Sequence, residues 1–468
     1  MANETLRTAG FVAGLRFEDI PTAVIARAKA LTLDLLGSAV RARAEAESTS
    51  SILAALEELG LAGQGPASVM GDERGYTPPI AALLNGALGH SLDFDDTHAA
   101  SSLHPSAPVV PAALAAGELV GADGRTVLTA IVAGYEVCCR LGLALDPTAH
   151  YARGFHPTAT AGTFGAAAAA ARVLGLDTGQ VVSAFGVAGS QAAGSLQFLT
   201  NGAWNKRWQV GAAAMNGLVA ATLAKNGFVG ATQAIEGVHG LLVGYTDGAR
   251  PERVTADLGE HWETLKVAVK PYPSCRYTHA ALDGLIALRA EHGFNAHDVQ
   301  AVEIGLHRNG IVLTAEPIDA KRRPRNVVEG QFSMPFTAAV ALDQGSFGWD
   351  DYARLGEPAI DALCDRIAVR QDDGVEAASP HPFGARVRVS LTDGRSYERA
   401  IPDPSGEPES FPAPASLRRK FLVLAEPVLG LRAARFADAI LELERFGTIS
   451  DAIVLGRSRP DEVESARA

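Results

Sequence analysis

The chain has 468 residues, 47% of them hydrophobic and 20% charged. That composition excludes a largely disordered protein and implies about two to three domains. The formal net charge of −12 speaks against a nucleic-acid partner, because phosphate binding needs a basic surface, so an anionic substrate must be met by a few local cations.

The opening Met1 to Thr5 lacks the charged and apolar regions of a secretory leader. Apolar stretches such as 161–174 are interrupted by Gly and Arg and fall short of a membrane span. The expectation is a cytoplasmic protein with no membrane partner. From there to about residue 267 the pattern is helix after helix. Residues 21–40 place apolar side chains at three- and four-residue spacing behind a proline at the first turn. The same period predicts helices over 50–59, 79–92, 108–120, 125–143, 158–174, 178–189 and 210–227. Several are rich in Ala and Gly, as tight helix packing requires. Residues 299–307 alternate as a strand, and 385–391 with 396–401 flank Asp393-Gly394, a hairpin signal. Helical patterns at 332–342 and 349–365 lie between them. A Pro/Ser/Gly-rich connector, 402–414, leads to a last helical region that can pack back on the first, and the charged residues after Ser458 should fray. The expected fold is mainly α: an all-helical domain of residues 1–267 and 404–468, with an inserted α+β lid at 268–403.

Four stretches carry chemistry-bearing side chains. Residues 89–98, GHSLDFDDTH, are followed by Leu103-His104-Pro105-Ser106. Carboxylates beside imidazoles orient and tune a general base, although the same string serves as a solvated acidic loop with a helix cap. Phe155-His156-Pro157 precedes a small-residue helix, where a helix N-terminus attracts anions and lowers a histidine pKa; simple capping is the alternative. Trp204-Asn205-Lys206-Arg207-Trp208 reads as a cationic clamp with aromatic walls, or as a surface loop whose tryptophans plug the core. Lys270-Pro271-Tyr272-Pro273-Ser274-Cys275-Arg276 is a proline-stiffened segment offering Lys270, Tyr272, Cys275 and Arg276 as substrate contacts, or else a bare hinge. Cys275 is not read as a nucleophile. Cys138, Cys139, Cys275 and Cys364 form no CxxC pair and no zinc spacing, and there is no HExxH, GxSxG or glycine-rich phosphate loop. No metal and no cofactor are expected.

In order and spacing, GHSLDFDDT with His104-Pro105-Ser106, Phe155-His156-Pro157, the Lys206 segment, Lys270-Pro-Tyr-Pro-Ser-Cys275 and Phe332-Ser-Met-Pro-Phe336 resemble the MmgE/PrpD family. The likeness spans residues 5 to 445. The resemblance implies a helical domain with an α+β lid, a homodimer, and a site between the two domains. It also implies cofactor-free chemistry on small polycarboxylates: dehydration of 2-methylcitrate, decarboxylation of cis-aconitate or epimerisation of iminodisuccinate. The positions that match the family's active site are Asp93, Thr97, His104, His156, Lys206 and Lys270. Where the decarboxylase branch has a His three residues past the clamp lysine, Gln209 stands here, and Phe336 falls where that branch has a Tyr. The expectation is therefore a hydro-lyase, with decarboxylation or epimerisation as alternatives. Lys206 and Lys270, with Arg276 helping, hold the carboxylates, and Arg207 is a further substrate contact; His104 or His156 acts as base, and Asp93 orients it. Two rivals match the DxDDT string alone, a terpene-cyclase acid motif and an Asp-rich magnesium site; a non-catalytic binding protein on the same fold is a third.

Overall fold

The computed structural model describes residues 3–377 and 383–458. The tail beyond Ser458, expected to fray, lies outside them, as do the first two residues of the opening. The chain forms two compact units, Met1–Val269 with Ala413–Ala468, and Lys270–Pro412. The protein is mainly α with a small α+β part.

The first unit is a helical bundle. Its principal helices before the second unit are α1 (Glu4–Gly14), α2 (Thr22–Glu45), α3 (Thr49–Glu58), α4 (Pro78–Gly89), α5 (Ser106–Val120), α6 (Gly124–Ala144), α7 (Pro157–Val173), α8 (Thr178–Gln191) and α9 (Asn205–Lys225). Prolines open α4 and α7, where the missing N–H costs nothing. Asp123 and Asp177 cap α6 and α8 by accepting from the N–H of Thr126 and Gln180. Small residues set the packing distance. A Cβ on Gly211 of α9 would stand 2.3 Å from the carbonyl oxygen of Leu83 in α4, and one on Gly217 only 2.4 Å from Cβ of Ala166 in α7. Helix α9 is thus wedged between α4 and α7 with glycine at both contacts. Helix α6 is long and apolar enough to cross a membrane, but 94% of its apolar window is buried inside the protein, as befits the core helix of a bundle.

The second unit is built on a four-stranded sheet of β1 (Val299–Leu306), β2 (Ile367–Gln371), β3 (Ala385–Leu391) and β4 (Ser396–Ile401), in the order β2-β1-β3-β4. β1 pairs parallel with β2 (Val302 with Ile367) and antiparallel with β3 (Ile304 with Val387), and β3 and β4 form the expected hairpin. Ala385, Val387, Val389 and Leu391 face the core, towards α10 (Arg276–His292), while α11 (Met334–Gln344) packs on α10 and α12 (Pro358–Cys364) packs on α11.

Two local expectations change, and one strand was not expected. The predicted helix over 349–365 breaks into a short turn at Trp349–Arg354 and α12, because Gly356 adopts φ 75° and Pro358 opens a new helix. β2 follows directly and has no two-residue alternation clear enough to announce it. Trp204–Trp208 forms the first turn of α9 and its approach instead of a loop, and the two indoles are 41% and 45% exposed, so neither plugs the core. The chain then returns to the first unit as α13 (Pro414–Leu429), packed on α2, and α14 (Arg432–Leu441).

Candidate active site

Helix α4 ends at Gly89, and the next eight residues form an irregular loop against α5, α7 and α9. Asp93 sits at φ 53°, a left-handed conformation costly for a residue with a Cβ. Its carboxylate accepts from Lys206 Nζ at 2.8 Å. Burial works to lower the Lys206 pKa, and the Asp93 and Asp95 carboxylates more than reverse it, so the ammonium is held above its ordinary value. Two residues on, the buried Asp95 accepts from His90 Nδ1 at 2.7 Å and lies 3.8 Å from His104 Nδ1. Asp96, also buried, accepts from the Ser106 hydroxyl at 2.6 Å and from its N–H at 3.2 Å, which caps α5 from outside the helix. Burial and the neighbouring Asp95 push the Asp96 pKa far up. Thr97 is pinned by a two-way backbone pair with Ala268 at 2.8 and 2.9 Å, and its hydroxyl lies 3.5 Å from His104 Nδ1.

Three imidazoles converge here. His90 and His104 meet edge-on with ring centres 4.9 Å apart, and His90 and His156 stack at 6.0 Å. Their hydrogen bonds sort the tautomers. His104 Nδ1 lies 2.6 Å from the Asp96 carbonyl oxygen, which can only accept, so Nδ1 carries the proton and Nε2 the lone pair. His156 Nδ1 lies 2.8 Å from the Gln209 amide nitrogen, which can only donate, so its proton is on Nε2. The cluster therefore offers a basic nitrogen on His104 and an acidic N–H on His156. Burial lowers the pKa of His156 well below 6.5, helped by His90 and Lys206, and burial lowers that of His90 too. Both stay neutral at physiological pH.

Arg207 turns away from the cluster: it is buried and donates to Ser48 Oγ at 3.1 Å. Lys270, Tyr272, Cys275 and Arg276 belong to the second unit. There Tyr272 OH donates to Asp283 at 2.7 Å, Cys275 stands just before α10 with its N–H donating to the Gln331 carbonyl at 2.8 Å, and Arg276 pairs with Glu407. Asp93 pairs with Lys206, and its carboxylate also acts on His90 as a charge, while Asp95 is the carboxylate that hydrogen-bonds the His90 ring. His90, Asp95 and Gln209 were not singled out as site residues by the sequence. His90 and Asp95 stood inside the GHSLDFDDT motif, and Gln209 was marked by its place three residues past Lys206, on the same helix face. His98, in the same motif, is structural, held between Ser101 and Glu263 at 2.7 and 3.0 Å.

His90, Asp95 and His104 bring one potential metal-ligand atom each within 4.8 Å of one another. The hydrogen bonds just described account for that grouping without an ion.

Residues 6–254 match the MmgE/PrpD N-terminal domain and residues 272–445 the MmgE/PrpD C-terminal domain. The chain belongs to the MmgE/PrpD family. Among its relatives is the cis-aconitate decarboxylase-like protein oryM of Aspergillus oryzae, 31% identical over 97% of both chains. The cis-aconitate decarboxylase of Aspergillus terreus is 28% identical over 95% of this chain and 94% of its own. The mouse cis-aconitate decarboxylase is 26% identical over 96% and 92%. These matches cover at least 95% of this chain, and the loop from His90 to His104 lies inside the matched N-terminal domain.

Proposed function

We propose that the protein is a lyase for a small polycarboxylate, with decarboxylation of a cis-aconitate-like acid as its reaction. The supporting observation is the sorted histidine cluster beside the Asp93–Lys206 pair. Lys206 neutralises a substrate carboxylate, since its pKa stands above the ordinary value and it is protonated at neutral pH. As the C–C bond to the departing carboxylate breaks, carbon dioxide leaves and the electron pair stays on carbon. His156 Nε2–H protonates that carbon, and solvent returns the proton to His156. General acids of this kind contribute about 10²- to 10⁴-fold, and preorganised charge at Lys206 adds orientation.

Gln209 favours a second reading, dehydration. As the donor to Nδ1 it holds His156 as a neutral N–H acid, suited to a leaving hydroxyl, while His104 Nε2 takes the carbon-bound proton. The distinguishing experiment incubates the protein with cis-aconitate, 2-methylcitrate and iminodisuccinate in deuterated water. Proton NMR and carbon dioxide release then report the product. Carbon dioxide with deuterium on the former carboxyl-bearing carbon supports decarboxylation. Water loss from 2-methylcitrate alone moves the assignment to dehydration. No turnover of any of the three sinks the proposal. On this reading a chelator leaves activity intact; a loss restored by added metal would shift the weight to the His90–Asp95–His104 group.

A further inference from the structure

We propose that Asp95 is the counter-charge for the imidazolium that His104 forms when it accepts a proton, and that His90 is the positioning residue that holds Asp95 in place. The inference deepens the dehydration reading and rests on its assignment of His104 Nε2 as the base.

Geometry carries the argument. His104 Nδ1–H already bonds the Asp96 carbonyl at 2.6 Å, so Asp95 Oδ2 at 3.8 Å acts on the ring as a charge and not as a hydrogen-bond partner. Asp95 is fully buried, where such a charge is weakly screened. The other carboxylates near the loop are engaged elsewhere. Asp93 faces Lys206 at 2.8 Å and Asp34 faces Lys420 at 2.6 Å. Asp96 is driven towards its neutral form by burial. His156 is neutral, and the Lys206 ammonium, stabilised by Asp93 and Asp95, is the cation of the cluster. Asp95 thus stands 3.8 Å from His104 Nδ1 as a buried carboxylate.

His90 has the features of a neutral clamp. It is 2% exposed, its Nδ1–H holds Asp95 at 2.7 Å, and its Nε2 has no hydrogen-bond partner among the described residues. Burial lowers its pKa, so it orients Asp95 without cancelling the charge. A cation in that position would leave nothing for His104.

The test titrates the full chain, labelled with carbon-13 at histidine Cε1, by NMR; the His104 signal is assigned by its loss in His104→Gln. In Asp95→Asn, His104 should titrate at lower pH than in wild type, because removing an anion disfavours the imidazolium. In His90→Ala it should shift the same way. In His90→Asn the side-chain amide stands near where Nδ1 stood and can donate to Asp95, so the signal should return towards wild type. With a turned-over acid in hand, kcat should fall about 10²-fold in Asp95→Asn with KM within about threefold, the split expected of a charge acting on the transition state. His90→Asn should recover at least tenfold of the loss seen in His90→Ala.

An unchanged His104 titration in Asp95→Asn overturns the proposal. If that variant does not fold, as its melting curve would show, the His90→Ala titration decides by the same criterion. A His90→Asn protein as impaired as His90→Ala overturns the positioning role and makes His90 a proton carrier. Because the titration needs no substrate, absence of turnover on every polycarboxylate sinks the functional reading while the role of Asp95 is still decided.

Discussion

The left-handed turn at Asp93 splays two carboxylates two residues apart onto different partners, one onto an ammonium and one onto an imidazole. Lys206→Met removes the ammonium and should cut turnover at least about 10²-fold. It also strands Asp93, so part of any lost stability is that of an unpaired carboxylate. Adding Asp93→Asn should restore the melting temperature but not the rate. Recovery of both would mean that Lys206 serves the fold alone. The neutral histidines make a second prediction. The folded pKa values of His156 and His90 lie below 6.5, so below about pH 6.5 the unfolded chain binds more protons than the folded one. Their contribution to stability is full above that pH and declines as the pH falls towards the folded values. His156→Gln removes one of these titrations. The drop in melting temperature between pH 7.5 and 5.5 should be smaller in His156→Gln than in wild type, and an equal drop would refute the assignment.

At the scale of elements, glycine spacing decides how closely α9 approaches its neighbours. A Cβ at Gly217 would come 2.5 Å from the backbone nitrogen of Ala167, and backbone cannot swing aside as a side-chain tip can. Gly217→Ala should destabilise by about 1–3 kcal/mol, measured by denaturant unfolding. Gly10 in α1 meets nothing within 4 Å, so Gly10→Ala should be neutral or stabilising by up to about 1 kcal/mol. Equal effects at the two sites would contradict the packing account. The helices of the bundle were legible because their apolar period spans many residues: 178–189 was expected and Thr178–Gln191 formed. The β3–β4 hairpin was legible from Asp393-Gly394, and its strands have the expected bounds. The strand at Ile367–Gln371 was not, because only Ile367 of its five residues is fully buried and the alternation is lost. Site residues followed the same logic. His104, His156 and Lys206 stood out as motif residues, and the structure brings all three to one cluster. The roles of Asp93 and Asp95 were invisible, because one positive φ decides which carboxylate meets which partner.

For the molecule as a whole, the consequential feature is the return of the chain to the first unit. Helix α13 lies on α2, where a Cβ on Gly37 would touch the Phe421 ring at 3.0 Å. From α13, Lys420 reaches Asp34 on α2 at 2.6 Å, the Phe94 carbonyl oxygen at 2.8 Å and the Phe94 ring at 3.7 Å. One side chain from the last part of the sequence thereby fastens the loop that carries Asp93, Asp95 and Asp96. Asp34 is buried, and burial raises its pKa against the pull of Lys420. Lys420→Met takes away the cation and should cost about 3–5 kcal/mol near neutral pH, since it leaves a buried carboxylate without its charge partner. The pH dependence has a definite sign. A carboxyl whose folded pKa exceeds its unfolded value of 3.8 binds more protons in the folded state, so its penalty grows as the pH rises above that value. The deficit of Lys420→Met should therefore shrink as the pH is lowered towards 4, and Asp34→Asn in the same chain should recover much of it at pH 7. Denaturant unfolding of the single and double variants across that range measures both effects. A deficit independent of pH, or one untouched by Asp34→Asn, would show that Lys420 stabilises through packing on Phe94 and not through the buried charge.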